Sequence, residues 1–171
     1  MPRSTIGVAI AVPDPWGAWL QEYRTSLGDP EAHQIPTHIT LLPPIELTAA
    51  GMTEAENHLA AAAADHERFG IHLRGTGTFR PVSPVVFVGV VEGISECELL
   101  AKAVCSGPLD ATPDFPYHPH VTVAHHRPDD VLDRAFDELA GFECEFEVRG
   151  FWLYEFDEVV GWVPQREFLL G

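Results

Sequence analysis

A chain of 171 residues and 18.8 kDa holds one sizeable core or two small lobes and excludes a large multidomain enzyme. Hydrophobic residues make up 46% and charged residues 21%, the composition of a folded soluble protein, and no apolar run approaches the roughly 18 to 20 residues of a membrane-crossing helix. Ten Lys and Arg against 26 Asp and Glu give a formal charge of −16; without a basic run to meet a phosphate backbone, a long nucleic acid is excluded as a partner, and any anionic ligand is small or held at one end.

In chain order, residues 5–12 alternate small and β-branched side chains and predict a strand. Asp14 and Pro15 open a helix that runs to Leu27 and stops at Gly28 and Pro30. Residues 36–42 predict a short strand closed by Pro43 and Pro44. Thr53 and Glu56 form a capping-box pattern at the head of an alanine-rich helix ending near Phe69 and Gly70. Residues 71–79 and 85–91 predict two strands, and Ser95 with Glu98 a second capping box heading a helix to Cys105. A proline-rich loop over 107–119 carries Phe115 and Tyr117. A strand over 120–124, a helix over 129–139 and strands over 142–149, 151–156 and 162–169 complete the chain. The N-terminus has no signal-peptide pattern, and the three distant cysteines, Cys97, Cys105 and Cys144, suit reduced thiols; both point to a cytoplasmic protein.

A weak repeat runs through this order. Pro36-Thr-His38-Ile-Thr40-Leu-Leu is followed by a helix and then by Leu73-Arg74-Gly75 leading to Phe79. Pro119-His120-Val-Thr122-Val-Ala is followed by a helix and then by Val148-Arg149-Gly150 leading to Tyr154. One unit used twice predicts two similar lobes, intertwined in a single domain over 1–171, facing each other across a pseudo-two-fold axis.

The chemistry rests on His38-Ile39-Thr40 and His120-Val121-Thr122. In a strand, side chains two apart share a face, so each triplet offers an imidazole beside a hydroxyl while the middle residue anchors the strand in the core. Two such strands meeting across a two-fold axis suit a phosphodiester. One neutral imidazole takes a proton from the attacking water, the other, protonated, donates to the leaving oxygen, and a pKa near 6.5 lets both forms coexist. The hydroxyls of Thr40 and Thr122 donate to the non-bridging phosphate oxygens, and no metal or other cofactor is needed. With nine His and ten Thr in the chain, about half of one His-x-Thr triplet is expected by chance, so a single one carries nothing. Two, each at the same place in a repeated unit, carry a great deal.

At these residues, His38-Ile-Thr40-Leu-Leu-Pro-Pro and His120-Val-Thr122-Val-Ala, the chain resembles the two-histidine (2H) phosphoesterase superfamily, and within it the 2′-5′ RNA ligase and RNA 2′,3′-cyclic phosphodiesterase family. The resemblance implies an α+β fold of two pseudo-symmetric lobes, each an antiparallel sheet flanked by helices, with the active-site cleft between them. It implies acid/base roles for His38 and His120 and phosphate binding by Thr40 and Thr122. It also implies hydrolysis of a 2′,3′-cyclic phosphate on a small nucleotide or RNA terminus, with 2′-5′ ligation as a related activity; separately, a monomer is expected. The basic residue that this family often carries after each triplet is absent: those places hold Leu42 and Pro43, and His125 and His126.

Further residues bear on substrate contact. His126 is a candidate for the missing cation at the phosphate, and Phe79 and Tyr154, at matching places in the two repeats, for stacking a base; Trp152, Phe115 and Tyr117 are others. Arg74 and Arg149 suit salt bridges to nearby acids. Two alternatives remain at this stage: a nucleotide-binding protein of the same fold without turnover, and a metal-dependent hydrolase built on the histidines between His118 and His126.

Overall fold

A computed structural model describes residues 2–110 and 116–171; Phe115 therefore lies outside the described residues. The order is β1 (Ser4–Ala11), α1 (Trp16–Ser26), β2 (His38–Leu47), α2 (Ala49–Ala64), β3 (Phe69–Thr78), β4 (Val85–Glu92), α3 (Ile94–Val104), β5 (His120–His125), α4 (Asp129–Glu138), β6 (Glu143–Val148), β7 (Gly150–Asp157) and β8 (Gly161–Leu169). Short 3₁₀ turns at Ala32–Gln34 and Gly107–Leu109 fill two of the connections.

The strands form two antiparallel four-stranded sheets in the orders β2-β1-β7-β8 and β5-β4-β3-β6. The sequence repeat, β1-α1-β2-α2-β3 and then β4-α3-β5-α4-β7 with β6 inserted before β7, is thus not one sheet per repeat. The first repeat gives its last strand, β3, to the second sheet, and β7 returns to pair with β1 in the first. The helices cross over too: α1 packs against β5 and α3 against β2. Leu20 from α1 and Leu27 at its C-cap, Leu100 and Val104 from α3, and Leu132 and Ala135 from α4 join the inner faces of both sheets in a common core. No helix among the described residues is long and apolar enough to cross a membrane.

Four local expectations are corrected. β2 does not stop at Pro43 and Pro44 but continues to Leu47. It is an edge strand, where the missing N–H groups of two prolines cost no interior ladder bonds, and the ladder resumes at Ile6 opposite Ile45. The alanine-rich helix starts at Ala49, where the Thr48 side chain accepts a hydrogen bond from the Gly51 N–H, so Thr53 and Glu56 lie inside it rather than at its cap. That helix also ends at Ala64, and Phe69 already belongs to β3. The helix α3 begins at Ile94 without a side-chain cap. Its chain reversal is made by Gly93 at φ 96°, where a Cβ would stand 2.7 Å from the Gly70 carbonyl oxygen, so Ser95 and Glu98 do not form the cap.

Candidate active site

β2 and β5, which carry the two His-x-Thr triplets, are the edge strands of their respective sheets and lie against each other. On each, alternation works as the triplet predicts. Ile39, Leu41, Val121 and Val123 are fully buried, while His38, Thr40, His120 and Thr122 are partly exposed on the other face. Tyr117 ties the two lobes together here by donating its hydroxyl to the Thr40 carbonyl at 2.8 Å. Just ahead of β2, the buried Thr37 donates to the Gly17 carbonyl at 2.7 Å and its own carbonyl accepts from the Val12 N–H at 3.1 Å, which anchors the chain to the head of α1 immediately before His38.

Both imidazoles are held in the same way. The Nδ1 of His38 lies 2.6 Å from the carbonyl oxygen of Pro36, and the Nδ1 of His120 lies 2.7 Å from that of His118. A carbonyl only accepts, so each Nδ1 carries a hydrogen and each Nε2 is left as the nitrogen that gains or loses the working proton. Burial pushes both imidazoles below the usual histidine pKa, against the opposing pull of these carbonyl bonds. The charges of Arg24 and His120 lower His38 further, and that of His118 lowers His120.

The register of the ladders adds a feature that periodicity does not reveal. Thr122 and Ala124 pair with the adjacent residues Phe87 and Val86, and Thr40 and Leu42 with the adjacent Ala9 and Val8. Each motif strand therefore carries a bulge three residues after its histidine, at Val123 and at Leu41. The bulge reverses the alternation, so that His125, paired with Val85, returns to the face of His120 and Thr122. Its pseudo-symmetric counterpart on β2 is Pro43. His126 lies beyond the strand end at φ 54° and stacks on His125 with ring centres 3.7 Å apart. The histidines of this segment thus divide: His118 and His120 at one end of β5, His125 and His126 at the other, about five residue rises away. They do not converge on one ion. The described side chains that gather within ligand reach of one another are His72, Glu92 and Glu145, on β3, β4 and β6.

Around the two catalytic candidates the walls differ. Beside His120, Phe79 meets the imidazole edge-on with centres 4.9 Å apart, and Phe87 lies 5.4 Å from it and 4.6 Å from Phe79. His118 completes this packed group. Beside His38 there is a cavity of about 220 Å³, lined by Gly7, Ala9, Thr40, Tyr154 and Trp162 together with His38 itself. Ile35 and Pro36 close one side. Trp162 reaches it because the β7–β8 turn docks on the 3₁₀ turn: Gly161, at φ 92°, approaches Gln34 so closely that a Cβ would stand 2.4 Å from the Gln34 Cβ.

Of the residues singled out in the sequence, the structure brings His38, Thr40 and Tyr154 to one cavity and sets Phe79 on His120. Trp152 stands opposite Ala9 on β7, and Arg74 and Arg149 pair with Glu143 at 3.5 Å and Glu147 at 3.2 Å. Trp162 and Arg24 were not anticipated. Arg24 is buried in the apolar stripe of α1 and paired with Asp29 at 3.0 Å; a cation interrupting the series Leu20, Arg24, Leu27 is the signal that would have found it. For Trp162 the signal lies in the repeat, where Gly7 and Ala9 of β1 stand at the places of Val85 and Phe87 of β4.

Two interlocked antiparallel sheets with a duplicated His-x-Thr strand at their junction define a two-lobed α+β class of protein. The sequence pattern of the 2′-5′ RNA ligase superfamily matches residues 12–159, and the chain belongs to that superfamily. It is 30% identical to a candidate phosphoesterase of Oceanobacillus iheyensis over 148 residues, 84% of this chain and 85% of the relative. It is likewise 30% identical to one of Bacillus pumilus over 145 residues, 84% of each. Among solved structures, Escherichia coli LigT in complex with NADP+ superposes with a TM-score of 0.73 at 22% identity over 99% of both chains. The protein TT0787 of Thermus thermophilus superposes at 0.67 and 24% identity over 97% of both. These two likenesses establish the fold.

Proposed function

We propose that this member of a phosphoesterase family is a metal-independent phosphodiesterase that opens a 2′,3′-cyclic phosphate, on a small nucleotide or an RNA terminus, to the 2′-phosphate. The observation that carries the reading is the pair of imidazoles on abutting edge strands, each with its Nδ1–H spent on a backbone carbonyl. Two Nε2 atoms of opposite protonation state then face one substrate. A water oxygen attacks phosphorus and gives its proton to the neutral Nε2. The bond from phosphorus to the ribose 3′ oxygen breaks, and that oxygen receives the proton of the other Nε2. Thr40 and Thr122 donate to the non-bridging oxygens as charge gathers on them. E. coli LigT has been solved with 3′-AMP and with ATP, which supports a ligand of nucleotide size. Ligation of 2′-5′ ends is the same displacement with a 5′-hydroxyl attacking phosphorus in place of water and the 3′ oxygen again leaving, and the absence of a basic stripe favours hydrolysis.

The test is turnover of 2′,3′-cyclic nucleotides, cyclic-phosphate-ended oligonucleotides and 2′-5′ dinucleotides by chelator-treated protein, with the position of the product phosphate read out. His38→Ala and His120→Ala are each expected to lower kcat by about 10² to 10⁴ while the thermal transition persists. Near-normal turnover by both variants, or activity that disappears with chelator and returns with a divalent cation, overturns the reading.

A further inference from the structure

On the face of the second sheet turned away from the core, three neighbouring strands bring an imidazole and two carboxylates together. His72 on β3 lies between its ladder partners, Glu92 on β4 and Glu145 on β6. Ladder partners share a face, and Ile71 and Leu73 on either side of His72 are buried, so these three side chains project away from the core. Glu92 reaches that face through a bulge. His72 and Leu73 pair with Glu92 and Val90, which leaves Val91 as the extra residue. In an unbroken ladder Glu92 would share the core face of Val86, Val88 and Val90.

We propose that His72, Glu92 and Glu145 bind one divalent transition-metal ion, with Zn2+ the best match, and that the ion staples β4, β3 and β6 together. The Nδ1 of His72 stands 3.5 Å from Glu145 Oε1 and 3.9 Å from Glu92 Oε1, and the three donor atoms lie within 4.8 Å of one another. A hydrogen-bonded pair would close to about 2.7 to 3.2 Å. Two donors held about 2.1 Å from a tetrahedral ion stand about 3.4 Å apart, and the Nδ1 spacings are nearer to that. The other nitrogen is prepared for the same role. Nε2 is buried without a hydrogen-bond partner among the described residues, Glu143 stands 3.5 Å from it, and Arg74 holds Glu143 from the far side at 3.5 Å. A metal on Nδ1 fixes the hydrogen on Nε2, aimed at Glu143, which is the carboxylate–histidine–metal arrangement that orients an imidazole ligand. One imidazole with two carboxylates is a donor set for Zn2+ rather than for Mg2+ or Ca2+, which take oxygen, and it leaves one tetrahedral position to water. The ion also brings positive charge to carboxylates that otherwise repel one another. It is separate from the phosphodiester chemistry, because β4 stands between β3 and the strand that carries His120; its work is to hold the edge strand β6 on the sheet.

The test uses the full untagged chain, stripped with chelator and moved to chelator-free buffer, and titrates it calorimetrically with Zn2+ alone. The wild-type protein is expected to bind one ion per chain, and at about a hundredfold excess of Zn2+ over Kd its Tm is expected to rise by about 5 to 10 °C. Glu92→Gln and Glu145→Gln change side chains that are 75% and 72% exposed, so the fold does not depend on them. Each is expected to weaken binding by about tenfold or more and to remove most of the rise in Tm. His72→Gln is expected to abolish both, and His33→Gln, a surface histidine outside the cluster, to keep both. No saturable binding by the wild-type protein overturns the site, as do affinity and Tm shift unchanged in Glu92→Gln and Glu145→Gln. Should His72→Gln fail to fold, the two glutamate variants decide. Turnover of stripped wild-type protein below its thermal transition is expected to match that of Zn2+-loaded protein, so the site and the phosphodiesterase reading stand or fall on separate measurements.

Discussion

Each candidate catalytic imidazole has one nitrogen committed to a carbonyl two residues upstream, so its proton chemistry runs through a single atom. This is a residue-scale device with a pH consequence. Burial lowers both histidines below about 6.5, so at neutral pH the free protein holds mostly two neutral rings. The proposed mechanism needs one protonated and one neutral. The fraction in that form rises as pH falls toward the lowered values and declines again once both rings are charged. The profile of kcat/KM, which reports the free protein, is therefore expected to climb as pH is lowered from 8 and to peak on the acid side of 6.5. A maximum above 7 would contradict the assignment of these rings. The His-x-Thr spacing makes His38, Thr40, His120 and Thr122 legible in the sequence, because strand alternation alone puts each pair on one face. The carbonyl partners are not legible, since they depend on the bend of the backbone at Pro36 and His118.

At the scale of elements, boundaries are where local signals mislead. Thr53 with Glu56 and Ser95 with Glu98 satisfy the capping-box pattern, yet α2 is capped by the Thr48 side chain five residues earlier, and α3 starts from Gly93, which the close Gly70 carbonyl keeps free of a side chain. The bulges at Leu41 and Val123 are likewise hidden, for a strand of alternating residues gives no sign that one of them will be unpaired. They decide that His125, rather than His126, shares the face of His120. Gly161 is an element-scale linchpin. It has a positive φ and so close an approach to Gln34 that a side chain there forces β8 away from the 3₁₀ turn. Gly161→Ala is expected to destabilise the fold by about 1 to 3 kcal/mol, read as a lower urea midpoint at unchanged slope. An unchanged midpoint would show that the contact is not tight. Pro43 and Pro44 illustrate the opposite error: they read as a strand end, but an exposed edge accommodates them.

For the whole molecule, a charge of −16 opposes the approach of any phosphate. Screening by salt weakens that repulsion, so kcat/KM for a cyclic nucleotide is expected to hold or rise between low and moderate ionic strength. A steep fall with salt would instead reveal a cationic steering surface. The two-lobed α+β architecture is legible from the repeat, as is the meeting of the motif strands, because a duplicated unit tends to face its copy. The exchange of strands between the sheets is not, since it depends on which edge each chain segment finds. Because β3 completes the sheet of the second repeat and β7 that of the first, a nick in the connection from 79 to 84 would separate no autonomous domain. Each fragment would carry a strand belonging to its sibling's sheet, and recovery of structure would require the pieces to reassemble as complementing halves.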